Sequence, residues 1–194
     1  RRGRPRLEPG ELMGKRLLIM GYGRAGRHLA RLTAGFGMEI EAYDPFLARQ
    51  GWPEGPVAAV ADLAGGLASA DFVSVHVPKG DKPAIGAAEL SVMKPSAIIV
   101  NTARGGVVDE PALIASLRDG RLAGAGLDVF EDEPPAPDNP LLAMDQVVLS
   151  PHVAGLTIEC AERMAVSSVQ NVLDFFAGRI DPALVVNGEY ANGK

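Results

Sequence analysis

Residues 16–26 read RLLIMGYGRAG, four consecutive aliphatic or thioether side chains running straight into a glycine-rich hexapeptide. The run 16–20 is apolar on both faces, which predicts a strand of a parallel sheet covered by helices on each side. The hexapeptide 21–26 fits G-x-G-x-x-G. Its first glycine, Gly21, permits a tight turn, Gly23 lets the backbone approach a pyrophosphate, and Gly26 lets helix and strand pack closely. Phosphates would then rest on the N–H groups that open the next helix. Alone the pattern is weak, so its surroundings decide.

Those surroundings agree. A helical pattern at 24–36 places Leu29, Leu32 and Phe36 on one face and meets Gly35 and Gly37 at its end. A second strand at 38–43 then closes on Asp44. An acid there can accept both ribose hydroxyls of an adenosine and repels a 2′-phosphate, which favours NAD over NADP. Further strands are predicted at 72–77, 97–101, 124–129 and 146–150, with helices at 62–69, 87–93, 108–120 and about 157–177. The helix at 108–120 is the best punctuated, with Asp109 as candidate N-cap, Pro111 in the first turn and Gly120 as the stop. The last helix repeats Ala161, Met164, Ala165, Val169, Val172, Leu173 and Phe176 at helical spacing and ends at Gly178. This alternation predicts an α/β fold, a Rossmann-type doubly wound parallel sheet with helices on both faces.

Polar residues collect where the strands end. His76 closes one strand, Asn101, Thr102 and Arg104 follow the next, Asp128 ends another, and His152 follows the last. In a parallel sheet these ends share one edge, where ligands bind. Arg104 can offer a planar fork to a carboxylate, or be an ordinary surface arginine. Glu133 has Glu131, Asp132 and Asp138 as neighbours in a Pro-rich loop, and most such acids are solvated. His152 can be an acid/base group or a polar residue capping a strand. Together the three supply a cation for an anionic substrate, an imidazole to move a proton, and a carboxylate to hold the imidazole. Residue types and spacing lead to a nucleotide site with plausible polar groups and no further.

Four ordered blocks, GYGRAG with Asp44, NTARGGVVDE, GLDVFEDEP and SPHVAGLT, resemble the NAD-binding domain of the D-isomer-specific 2-hydroxyacid dehydrogenases over nearly the whole chain. The resemblance implies hydride transfer between NAD(H) and C2 of a 2-hydroxy or 2-oxo acid. Arg104 would bind the substrate's carboxylate and carbonyl, His152 would be the general acid in reduction and the base in oxidation, and Glu133 would pair with it. Arg24 and Ala25 would lend N–H groups to the pyrophosphate, and Asp128 would meet the nicotinamide carboxamide. His76, Val77, Pro78, Thr102, Ala103 and Gly155 would border the cofactor. The resemblance further implies a linker remnant at 1–13, a cofactor domain at 14–178 and a tail at 179–194 that returns to a separate substrate domain outside this chain; without that domain the chain is expected to bind NAD(H) and turn over poorly. It also implies a homodimer. Relatives of corepressor type, which sense NAD(H) to control assembly, and inactive truncated relatives are the alternatives. The segment KGDKPA at 79–84 is shorter than its family counterpart, which bears on the cofactor mouth.

Composition narrows the remaining classes. With 47% hydrophobic and 22% charged residues, disorder is not the default. A net charge of -5 gives no reason to expect nucleic acid, and the basic run RRGRPR at 1–6 reads as a solvated tail. No aliphatic run approaches the roughly 20 residues of a membrane span, so no membrane partner is expected. The lone Cys160 permits no internal disulfide or thiolate cluster; no metal is expected, and a cytoplasmic location fits.

Overall fold

A computed structural model describes residues 10–186 of the 194-residue chain. The basic run at 1–6, most of the expected linker and the end of the expected tail lie outside the described residues. The chain divides after His152 into two compact units.

The first unit is a seven-stranded parallel sheet. Its strands are β1 (Arg16–Met20), β2 (Glu39–Tyr43), β3 (Ala58–Ala59), β4 (Phe72–Val75), β5 (Ile98–Asn101), β6 (Gly124–Leu127) and β7 (Val147–Leu149), in the order β3-β2-β1-β4-β5-β6-β7. This is the expected Rossmann-type sheet, with the order reversing between β1 and β4. The side-chain alternation of β1 shows why both its faces are apolar: Leu18 and Met20 enter one buried cluster with Val73, Val75, Ile99 and Leu113, whereas Leu17 and Ile19 enter another with Ala30, Ala42 and Val57. Truncating Leu18 or Ile19 to Ala would cost about 2–5 kcal/mol.

Helices α1 (Arg24–Ala34), α2 (Pro45–Gln50), α3 (Leu63–Ser69), α4 (Ala87–Val92) and α5 (Glu110–Arg118) connect the strands. Four expectations change. Helix α1 stops at Ala34, and the left-handed residue that ends the segment is Gly37, at φ +69°, while Gly35 remains right-handed. Its buried face is Gly26 and Ala30 with Leu29 beside them; Leu32 and Phe36, expected inside, are more than half exposed. The reason is close packing: a Cβ on Gly26 would sit 2.2 Å from the Gly21 carbonyl oxygen, so the helix lies too near β1 for large side chains to face inward. Helix α2 and the two-residue β3 were not anticipated, because both are shorter than the window over which periodicity can be read. The strands are also shorter than expected: β4 ends at Val75, before His76 and Val77, and β6 ends before Asp128.

The second unit holds helix α6 (Ile158–Phe176), N-capped by Thr157, whose hydroxyl oxygen accepts the Cys160 N–H at 3.1 Å. None of its residues is buried, and Val166, Val169 and Phe176 are among its exposed side chains.

Candidate active site

The C-terminal ends of β1, β2, β4, β5, β6 and β7 share one edge, and the residues expected from the sequence up to His152 lie along it. At β1 the chain turns through Gly21, at φ +90°, where a Cβ would stand 2.7 Å from the His76 carbonyl oxygen. Only glycine fits. Helix α1 then begins at Gly23 with no side-chain cap, and among the described residues nothing accepts from the N–H groups of Arg24, Ala25 and Gly26. A Cβ on Gly23 would meet no atom within 4 Å, so there is room at the cap position itself. Three convergent N–H groups at the positive end of a helix, with room at the cap, fit a dinucleotide pyrophosphate.

Asp44 stands beside this cradle with a second task. Its Oδ1 accepts from the Phe46 and Leu47 N–H groups and so caps α2, and its Oδ2 accepts from Tyr22 N–H at 2.9 Å. A carboxylate has about four acceptor positions, so one on Oδ2 remains for a ribose hydroxyl. Tyr22 in turn stacks on Trp52, with ring centroids 5.2 Å apart. His76 is half-buried, its Nε2 2.9 Å from the Ser74 hydroxyl, and burial holds its pKa below the ordinary imidazole value. Val77 is half-buried and Pro78 exposed just after it.

The loop after β5 is built on Asn101, which is 3% exposed. Its amide donates to the Arg104 carbonyl oxygen and its Oδ1 accepts from Ala103 N–H, both at 3.0 Å. This leaves Thr102 and the Arg104 side chain exposed, Ala103 half-buried, and the Arg104 guanidinium bonded to the Ala103 carbonyl with no ion pair among the described residues. Gly105 lies against the next loop: a Cβ there would overlap the Phe130 carbonyl oxygen. The loop bearing Arg104 is thereby pressed onto the loop bearing Glu133.

In that second loop Glu133 Oε1 accepts from Phe130 N–H at 3.1 Å, and Oε2 lies 2.7 Å from His152 Nδ1. The hydrogen bond with His152, followed by the Phe130 N–H, holds the Glu133 carboxyl below its ordinary pKa. His152 has φ +55°, a left-handed conformation that costs a residue with a side chain roughly 1–3 kcal/mol and is characteristic of functional positions. Its N–H donates to the Asp128 carbonyl at 2.8 Å, so the backbone, and not the imidazole, continues the edge of β7. The side chain itself pairs with Glu133. With Nδ1 facing Glu133, Nε2 is the nitrogen left to meet a substrate. Asp128, 3% exposed, accepts the Ser150 hydroxyl at 2.6 Å. A cavity of ≈ 380 Å³ opens here, lined by Asp128, Phe130, Glu133, Ser150 and His152 among others.

The fold thus brings Glu133, His152 and Asp128 to one corner, sets the loop bearing Arg104 against the loop bearing Glu133, and places Gly21, Gly23, Arg24, Ala25, Gly26 and Asp44 along a neighbouring stretch of the same edge. Gly155 belongs to the second unit and is exposed. Sequence reasoning assigned no role to the Asn101 amide, to Ser150 or to Glu110, whose partners are distant in the chain. No helix among the described residues is long and apolar enough to cross a membrane.

Comparison with known proteins bears on this arrangement. A family profile described as "D-isomer specific 2-hydroxyacid dehydrogenase, NAD binding domain" matches residues 2–154. The chain is 44% identical over 177 residues to a glyoxylate reductase of Korarchaeum cryptofilum, covering 90% of this chain and 53% of that protein. It is 43% identical over 164 residues to an (S)-sulfolactate dehydrogenase of Chromohalobacter salexigens, covering 84% and 53%. The solved structure of a D-2-hydroxyisocaproate dehydrogenase superposes with TM-score 0.82 at 32% identity, covering 89% of this chain and 56% of that one. The chain therefore spans about half the length of these relatives. With the match running from the glycine cradle through His152, the chain belongs to the D-isomer-specific 2-hydroxyacid dehydrogenase family and contains its NAD-binding domain.

Proposed function

We propose that the protein to which this chain belongs interconverts a 2-oxo acid and its D-2-hydroxy acid, with Arg104, Glu133 and His152 as its catalytic residues. The observation that carries the reading is the 2.7 Å His152–Glu133 pair on the same sheet edge as the open N-terminus of α1. When bound, NAD(H) supplies or accepts the hydride. Gly21, Gly23, Arg24, Ala25 and Gly26 hold its pyrophosphate, and Asp44 reads the adenosine ribose and disfavours a 2′-phosphate. His76, Val77, Pro78, Thr102, Ala103 and Asp128 border the rest.

In reduction the Arg104 guanidinium fixes the substrate carboxylate and polarises the C2 carbonyl. His152 Nε2–H donates its proton to the carbonyl oxygen as C2 gains the hydride, giving the hydroxyl. Glu133 stays ionised and stabilises the imidazolium before transfer, as its lowered pKa favours. In oxidation His152 removes the same proton. The family relatives named for glyoxylate and sulfolactate support a small anionic substrate without selecting one. The same reading takes the protein as a cytoplasmic homodimer that uses neither nucleic acid nor membrane.

The deciding experiment is a screen of 2-oxo acids with the full-length gene product, using NADH and NADPH separately. NADH-dependent reduction of at least one acid is expected, with NADPH weaker. Failure to oxidise NADH with any of them would remove the proposal.

A further inference from the structure

Glu133 is held by a loop that itself needs holding. The segment 131–139 carries four acids and three prolines and contains no regular element; its Asn139 N–H donates to the Ala136 carbonyl at 2.9 Å, a bond at the far end of the segment from Glu133. Both its ends meet a single side chain. Glu110, the first residue of α5, accepts Glu131 N–H on Oε2 at 3.0 Å and the Asn139 side-chain amide on Oε1 at 2.6 Å. Asn139 uses its other polar atom, Oδ1, to accept Leu141 N–H at 3.0 Å, starting the 3₁₀ turn at Pro140–Ala143. The carboxylate therefore closes the loop into a ring, with Glu133 two residues inside one end. Helix α5 is fixed independently by Asp109, so the anchor stands on a rigid element.

We propose that Glu110 is a positioning residue for proton transfer: it sets the place of Glu133, and through Glu133 the orientation and tautomer of His152. This rests on the functional reading above, from which Glu133 and His152 take their roles. Both bonds to Glu110 are accepted by oxygen, and two acceptors side by side are what a carboxylate offers and an amide cannot. Glu110→Gln thus turns one bond into an N–H facing the Asn139 N–H₂. Asn139→Asp keeps the acceptor that starts the 3₁₀ turn but sets a carboxylate against Glu110. The two changes together restore complementarity: the amide introduced on α5 donates to the carboxylate introduced at the end of the loop, while its oxygen still accepts Glu131 N–H.

The test reads the imidazole directly, in the ¹⁵N-labelled 194-residue chain at alkaline pH, where long-range ¹H–¹⁵N correlations report the tautomer of each of its three histidines. The wild type is expected to hold His152 as Nδ1–H. Each single variant should move it toward the Nε2–H form favoured by free imidazole, as Glu133→Ala should also do, and the double variant should return it. In the full-length enzyme the singles should lower kcat about 10-fold, part of the roughly 10²–10⁴-fold that general acid–base catalysis supplies, with the KM for NADH unchanged and kcat recovered in the double. A tautomer unmoved in both singles, or not rescued in the double, overturns the inference. If a single variant loses its fold by circular dichroism, recovery of fold without recovery of tautomer in the double overturns it equally. Full turnover by Glu133→Ala would instead remove the functional reading and leave the tautomer result standing.

Discussion

Helices α1 and α5 both start at the ligand-bearing edge of the sheet, each shortly after a strand and a glycine-containing loop, but they begin in opposite ways. At α5 the N-terminal donors are answered from within: Asp109 accepts Ala112 N–H at 2.8 Å, Pro111 removes a donor, and the Glu110 carboxylate lies in the first turn. At α1 the cap is Gly23, with no side chain to accept, no acid in the first turn, and room at the cap position. Each of α2, α3 and α6 likewise has a side-chain cap, from Asp44, Asp62 and Thr157. An unsatisfied helix end is unfavourable unless something else satisfies it. The difference separates two jobs: the open end takes the cofactor's negative charge, and the closed end braces the corner where the proton moves.

The separation is tested hardest at the reacting corner. His152→Gln in the full-length enzyme should lower kcat by roughly 10²–10⁴-fold, the range that general acid–base catalysis supplies. Steady-state kinetics and an NADH fluorescence titration check this together, because NADH affinity should stay within about twofold, the cradle being held by α1 alone. A parallel loss of NADH binding would mean that the two regions are not separate.

The converse change makes α1 resemble α5. Gly23 has φ -75°, which any residue tolerates, so Gly23→Asp supplies a side-chain cap without backbone strain. Its carboxylate would occupy the place of the pyrophosphate, and a like-charge contact costs several kcal/mol, so NADH should bind at least about 100-fold more weakly. The melting temperature of the free protein should be level or slightly higher, since Asp exceeds Gly as a cap by a few tenths of a kcal/mol. Isothermal titration with NADH and thermal melting give the two readings.

Much of this contrast was legible before any coordinates. Runs that are apolar on both faces located six strands, and Asp109, Pro111 and Gly120 bracketed α5 because caps and stops act locally. What was lost is what depends on distance. The inner face of α1 could not be read from apolar spacing, since contact with β1 selects the small residues Gly26 and Ala30 over Leu32 and Phe36. At the site, Arg104, Glu133 and His152 could be named as a set, but their convergence came from the family resemblance. The tethers that build the corner, Asn101 beneath Arg104 and Glu110 beneath the Glu133 loop, are ordinary polar residues whose partners no local pattern identifies.

Uncapping the closed end is the third way to sharpen the comparison. Asp109→Ala leaves α5 with the unanswered donors that α1 has by design, and should destabilise the protein by about 1 kcal/mol, within the 0.5–2 kcal/mol typical of lost caps. Urea unfolding of the 194-residue chain measures it. NADH affinity in the folded population should not change, because the opened donors of α5 lie beside the Glu133 loop and not beneath the pyrophosphate. Tighter NADH binding would show that any open helix end on this edge attracts the cofactor.

The smallest effect is in acid, which acts on the two regions in different windows. His76, beside the α1 cradle, has its pKa lowered by burial, so below the ordinary imidazole value of about 6.5 the unfolded chain takes up a proton that the folded chain resists. Stability should therefore fall as pH drops through that value, and the loss should stop once the lowered folded value is passed. Glu133 is depressed in turn by its bond with His152, so its contribution is present above the ordinary carboxylate value of about 4.3 and fades as pH falls through the lower folded value. Melting temperatures of the wild type, His76→Gln and Glu133→Gln from about pH 8 down to about pH 2 separate the two windows. His76→Gln should flatten the upper limb only, and Glu133→Gln the lower limb only. A single variant that flattened both would mean that the cradle and the reacting corner titrate as one site, and the division between an open end that binds and a closed end that braces would have no basis.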